Sequence, residues 1–181
     1  MPQVLIKGGR IITAVDDYEG DILIQDGQIE AIGRSLSVDN AEVHDATGLI
    51  VFPGGIDAHV HMETPMGNDV YTCDSFETGT RSAAFGGTTT IIDFAQQFHD
   101  DSPKAALDRR LAAAEPQCCV DYAFHVILTD INPASLGELP DLINQDGVSS
   151  FKLYMAYPGV LMVDDAAIFK TMRQVGGMAA W

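Results

Sequence analysis

Two hydrophobic periodicities divide the chain. Over residues 3–50 the apolar positions fall in short runs, Val4-Leu5-Ile6, Ile11-Ile12, Ile22-Leu23-Ile24 and Ile29 with Ala31-Ile32. Gly8-Gly9, Asp16-Asp17 and Asp26-Gly27 separate them. Short β-branched runs bounded by Gly and Asp read as strands. Strands are therefore expected over 4–6, 10–13, 21–25 and 28–32, the last two joined by a tight Asp26-Gly27 hairpin. From about residue 53 the pattern changes. Extended apolar runs over 51–61, 88–94, 120–128 and 149–156 alternate with helical stretches over 75–85, 103–115, 135–145 and 164–175. Pro103 stands near a helix start, and Gly86-Gly87 and Gly176-Gly177 stand at helix ends. Pro140 is expected to bend or interrupt the third helix. Residues 178–181 read as the start of a fifth strand. Strands alternating with helices imply a parallel sheet. The expected boundary separates a small β region, 1–52, from an α/β region, 53–181.

Composition narrows the function classes. The chain has 181 residues, is 46% hydrophobic and 20% charged, and has a formal net charge of −16 from 26 acidic against 10 basic residues. That charge opposes nucleic acid and anionic membrane surfaces and suits small neutral or metal-bound substrates. No run approaches the roughly twenty apolar residues of a membrane span. Cys73, Cys118 and Cys119 are an odd set with an adjacent pair, which is no disulfide framework. Reduced thiols and no signal peptide lead to an expected cytoplasmic location.

The chemistry concentrates in two stretches. Leu49-Ile50-Val51-Phe52 leads through Pro53-Gly54-Gly55-Ile56 into Asp57-Ala58-His59-Val60-His61. In a strand, residues two apart share a face, so His59 and His61 can present two imidazoles to one metal ion, with Asp57 a step deeper. The alternative is two unrelated histidines at a strand end. The second stretch is Ser150-Phe151-Lys152-Leu153-Tyr154-Met155-Ala156-Tyr157. A lysine amid apolar residues either snorkels to the strand end or loses its charge, since burial lowers a lysine pKa. A neutral amine can add carbon dioxide and become an anionic carbamate with two donor oxygens. Asp93 reads as a cap or a group holding its neighbours, a ligand or acid–base role being the alternative; His125 reads as a satisfied core histidine with a ligand role the alternative, and His44 and His99 as exposed.

Four motifs carry a resemblance. Residues 54–62, 74–81, 86–94 and 150–157 resemble, in order and spacing, the dihydropyrimidinase/hydantoinase family of metal-dependent amidohydrolases, and the likeness runs from about residue 3 to about residue 177. It implies the N-terminal half of a TIM-like (β/α)8 barrel, preceded over 1–52 by part of a small β-sandwich domain. It also implies zinc-dependent opening of dihydropyrimidines or hydantoins to N-carbamoyl amino acids. By resemblance His59 and His61 are metal ligands. Lys152, carboxylated, bridges two zinc ions and serves catalysis, and no organic cofactor is implied. Tyr157 hydrogen-bonds the substrate carbonyl as it becomes tetrahedral. The loop over 62–71, with Met66, gates the substrate's side group. Pro65 and Asn68-Asp69 depart from the family pattern there.

The resemblance implies a small cyclic amide or imide as substrate and a homo-oligomer, a tetramer in the family. Related ring openers acting on allantoin or dihydroorotate are an alternative, as is a non-catalytic relative acting in assembly. The motif at 150–157 favours the first reading. Four strand–helix units make half of an eight-fold barrel. The chain is therefore expected to be a fragment or truncated product, inactive alone and marginally folded.

Overall fold

The computed structural model describes residues 3–176. The chain forms two compact units, Met1–Pro53 and Gly54–Trp181.

The first unit holds β1 (Val4–Ile12), β2 (Asp17–Gln25), β3 (Gln28–Gly33), β4 (Glu42–Asp45) and β5 (Ile50–Val51). The sheet order is β3-β2-β1-β4, with β5 also on β1. The strands expected over 4–6 and 10–13 are one strand with a bulge. The β1–β2 register shifts between Ile6 and Gly9, where Gly8 takes φ +71°. The bulge frees the Gly8 N–H, which donates to the Asp21 carboxylate at 2.8 Å; Leu36 N–H donates to the same group at 2.7 Å. Asp21 is buried at no cost in unsatisfied hydrogen bonds. Asp26 and Gly27 both have positive φ, the geometry of a two-residue type I′ hairpin.

The second unit runs β6 (Gly55–Asp57), β7 (Pro65–Gly67), β8 (Val70–Tyr71), α1 (Phe76–Phe85), β9 (Thr88–Gln96), α2 (Pro103–Ala114), β10 (Asp121–Ile127), α3 (Pro133–Asn144), β11 (Phe151–Lys152) and α4 (Asp165–Val175). A parallel sheet has the order β11-β10-β9-β6, and β7 and β8 form a separate hairpin. The helices are capped as their sequences direct. Ser75, Ser102, Asn132 and Asp164 accept backbone N–H bonds at the N-termini. Pro140 lies inside an uninterrupted α3, so the expected break is absent. No helix among the described residues is long and apolar enough to cross a membrane. The fifth strand expected over 178–181 lies outside the described residues.

Two expected strands are much shorter than their apolar runs. The run over 51–61 splits: Ile50–Val51 pairs with β1 in the first unit, and the second unit's strand is only Gly55–Asp57. His59 and His61 therefore lie past the strand, not in it. The run over 149–156 is a strand only at Phe151–Lys152, and beyond it Tyr154 makes an isolated bridge to Met162. In both places the chain leaves the ladder at the carboxyl end of the sheet.

Register sorts side chains between the sheet's faces. Asp93 pairs with Phe124, Phe94 with His125, Ala95 with Val126 and Ile127 with Lys152. Alternation then puts Ile91, Asp93, Ala95, Phe124 and Val126 on one face, where the apolar ones join Phe76, Leu107, Leu139 and Leu142 in the core. The other face carries Ile92, Phe94, His125, Ile127 and Lys152.

Candidate active site

Phe94 is the centre of the polar face. It is buried, and four chemically active groups pack on its ring. The His59 imidazole lies 4.7 Å away centroid to centroid, His61 4.9 Å and His125 5.0 Å, while Lys152 Nζ lies 4.2 Å from the ring centroid. The His59 and His61 rings are 5.2 Å apart and nearly perpendicular. The i, i+2 spacing thus brings the two imidazoles together, although loop geometry does it. Asp57 lies just before the pair, its carboxylate accepting the His59 N–H at 3.2 Å.

Burial lowers the pKa of His61, opposed by the carboxylate of Asp93 and assisted by the nearby positive charges. Desolvation thus favours the neutral ring, the form with a lone pair to offer a metal. Lys152 is half-buried rather than enclosed, its ammonium over the rings of Phe94 and Tyr154. Among the described residues no three His, Cys, Asp or Glu side chains gather as a metal-binding group. Two imidazoles next to a lysine fit a zinc-type ion as part of a donor set, the lysine becoming a donor only once it is no longer ammonium.

A cavity of about 810 Å³ opens beside this cluster, lined by His61, Phe94, Met66, Tyr154, Tyr157 and neighbours. Met66 is exposed on β7. The hairpin turns through Asn68 and Asp69, both at positive φ. Its base is tied to the histidines, since Thr72 Oγ1 accepts the Thr64 N–H and donates to the His61 carbonyl at 2.8 Å. Tyr157 is exposed, with its ring 5.7 Å from that of Tyr154. Its φ of +63° is the left-handed region, uncommon for a bulky residue. The N–H groups of Val160, Leu161 and Met162 converge on its carbonyl. His99, read as plain exposed loop, also lines the cavity.

Asp93 holds its neighbours as its place in the sequence implied, through two residues, Phe94 and Arg110, whose weight the sequence context hid. Asp93 is fully buried, and Arg110 Nη2 donates to it and to the Met62 carbonyl at 2.6 Å each. Phe94 reads in sequence as one more apolar strand residue. Arg110 reads as the solvent side of an Ala-rich helix, yet its guanidinium lies 4.6 Å from the Phe76 ring centroid. Only the charge of Asp93 at a strand's end hinted at this pair.

A parallel α/β sheet with its polar side chains gathered at the strands' carboxyl ends is the arrangement of a barrel-type catalytic domain. No family model matches the chain. It is 49% identical to a D-hydantoinase of Geobacillus stearothermophilus over 93% of its own length and 36% of the relative's. It is 38% identical to a dihydropyrimidinase of Rattus norvegicus, over 98% and 36% respectively. A crystal structure of a D-hydantoinase superposes with a TM-score of 0.94 at 42% identity, covering 98% of this chain and 38% of that one. Over nearly its whole length the chain is similar to the N-terminal portion of proteins named hydantoinase and dihydropyrimidinase, whose structures join a (β/α)8 barrel to a β-sandwich. It spans a little over a third of the length of these relatives.

Proposed function

We propose that this chain supplies the first part of the metal site and of the substrate cavity in a cyclic amidohydrolase, one that opens hydantoins or dihydropyrimidines to N-carbamoyl amino acids. The observation that carries the reading is the gathering of His59, His61 and Lys152 on the single ring of Phe94 beside the cavity. Relatives named D-hydantoinase and dihydropyrimidinase support the reaction class.

In this reading His59 and His61 would hold zinc through their imidazole nitrogens. The Lys152 amine, once neutral, would add carbon dioxide and release a proton, and its carbamate oxygens would join the imidazoles as donors to zinc. Zinc, when bound, would supply a lowered pKa for a water and polarisation of the amide carbonyl. The other tasks fall to the chain's own side chains. Tyr157 donates its phenol O–H to the carbonyl oxygen as negative charge builds there. Its left-handed backbone fixes where that phenol starts from. Met66, on the β7–β8 hairpin, meets the substrate's side group and excludes water. A homo-oligomeric assembly belongs to the same proposal, tested by size-exclusion chromatography.

The test uses the intact protein, assayed for zinc content and for ring opening of hydantoin and dihydrouracil. His59→Ala with His61→Ala is expected to abolish turnover, and Lys152→Ala to lose most of the zinc. Tyr157→Phe removes one oxyanion donor, worth about 3 kcal/mol, so kcat should fall roughly a hundredfold. Unchanged zinc in the Lys152→Ala protein refutes the carbamate. Turnover within about tenfold of wild type in the histidine variant refutes the ligand assignment.

A further inference from the structure

The histidine-bearing segment has almost no backbone ladder of its own. Strand β6 ends at Asp57, and among the described residues the only backbone–backbone bond from Ala58–Met62 to the sheet is Val60 N–H to the Ile92 carbonyl, at 3.3 Å. Side chains hold several of the other peptide groups there. At the upstream end His125 Nε2 lies 2.9 Å from the Ala58 carbonyl. A carbonyl can only accept, so Nε2 donates to it, and Nδ1 is hydrogen-bonded to the Ser150 hydroxyl beside it. At the downstream end Met62 N–H donates to Asp93 at 3.1 Å, and Arg110 Nη2 bridges Asp93 and the Met62 carbonyl. Asp93 is held at its other oxygen by the Phe94 N–H at 2.6 Å. Arg110 is pressed between the rings of Phe76 and Phe124.

We propose that His125 at one end and the Asp93–Arg110 pair at the other are positioning residues that clamp the His59–Val60–His61 segment in metal-binding geometry. The two clamps reach the segment from opposite sides. His125 shares the polar face with Phe94, whereas Asp93 and Arg110 belong to the helix-covered core. A loop left to itself samples many backbone states, and each would carry the two imidazoles apart. Fixing the carbonyl before His59 and both polar groups of the residue after His61 removes that freedom. Between them Asp57 accepts the His59 N–H and Thr72 donates to the His61 carbonyl.

This inference rests on the reading of His59 and His61 as metal ligands, and the experiment separates the two. In the intact protein, zinc affinity is measured by competition with a chromophoric chelator, and the visible spectrum is recorded with cobalt(II) in place of zinc. His125→Phe keeps a ring on Phe94 and removes the bond to Ala58. His125→Gln offers an amide N–H near the position of Nε2. Arg110→Met and Arg110→Lys form the second pair. Loss of a residue that orients metal ligands weakens affinity by about 10–100-fold. That loss, with an altered cobalt spectrum, is expected for His125→Phe and Arg110→Met, while His125→Gln and Arg110→Lys recover most of it. Leu139→Ala, a core truncation in α3 that removes none of the clamps' hydrogen bonds, controls for destabilisation and should bind zinc as wild type does. If Arg110→Met does not fold, the His125 pair decides. Zinc affinity within about threefold of wild type in His125→Phe overturns the proposal, as does an equal loss in Leu139→Ala. Retention of zinc by His59→Ala with His61→Ala overturns the ligand reading itself and the clamp with it. Loss there beside a normal His125→Phe overturns the clamp alone.

Discussion

Cys118 and Cys119 are sequence neighbours with different environments. Cys119 is exposed, whereas Cys118 is partly buried, and burial raises its thiol pKa to about 11 from an ordinary 9.0. At pH 8.5 a thiol of that pKa is thiolate in only about one molecule in 300, and the thiolate is the nucleophile. Iodoacetamide at pH 8.5 should therefore label exposed Cys73 well before Cys118, by at least tenfold in rate. Equal rates by peptide mass mapping would contradict the burial argument. The same shift has a stability sign. Between about pH 9 and 11 the unfolded thiol has lost its proton and the folded one has not, so stability falls as pH rises through that window. Below pH 9 the contribution is complete. At Gly54 the constraint is steric. A Cβ there would lie 2.1 Å from Thr89 Oγ1 and 2.7 Å from Thr89 Cβ. Gly54→Ala should cost about 1–3 kcal/mol in urea unfolding, as overpacking does. Thr89→Ala on the same background should return part of that cost, because it deletes the two nearest atoms.

At the scale of elements the β7–β8 hairpin makes a sharp case. Its two-residue turn puts Asn68 at φ +50° and Asp69 at φ +58°. A left-handed conformation costs a side-chain-bearing residue about 1–2 kcal/mol, and the extra entropy of an unfolded glycine takes back about 0.5–1. Asp69→Gly should therefore stabilise by about 0.5–1 kcal/mol, raising the melting temperature by about 1–3 °C. A lowered melting temperature would show that the Asp69 side chain holds the turn. The alternation of strands and helices was legible because the sequence marks both ends of most elements. Ser75, Ser102 and Asp164 cap helices where the apolar period begins. The strand lengths were not legible. An apolar run does not by itself mean a ladder: residues 58–61 and 153–156 lie past the strands, with Ala58 and Met155 exposed and His59, His61 and Tyr154 packed on other rings. The adjacency of His59 and His61 could be read from their spacing. The linkage of Arg110 to Met62 could not, since it joins residues 48 apart that no local period relates.

For the molecule as a whole, charge is the strongest lever. A net charge of −16 on 181 residues means that self-repulsion opposes the folded state. Salt screens that repulsion over about 10 Å at 0.1 M. The urea midpoint should therefore rise between about 10 and 200 mM sodium chloride, where a protein held by surface ion pairs would lose stability. The exposed pairs Arg10–Asp17 and Arg81–Glu77 are too weak to reverse the sign. Among the described residues the edges of the parallel sheet are β6 and β11, three and two residues long. Edges so short offer little template for pairing with another chain.

Strand β9 gives neighbouring positions unlike duties. Asp93 turns into the core to meet Arg110, and Phe94 turns out to floor the histidines. The strand is thus written in a reading frame of two. Substitutions on its outward positions can retune the chemistry while the core stays as it is. A one-residue deletion before Asp93 would do neither: it would aim a carboxylate at the imidazoles and a phenyl ring at the guanidinium, inverting site and core together. Point changes are therefore open to this strand as routes of variation, and length changes are closed.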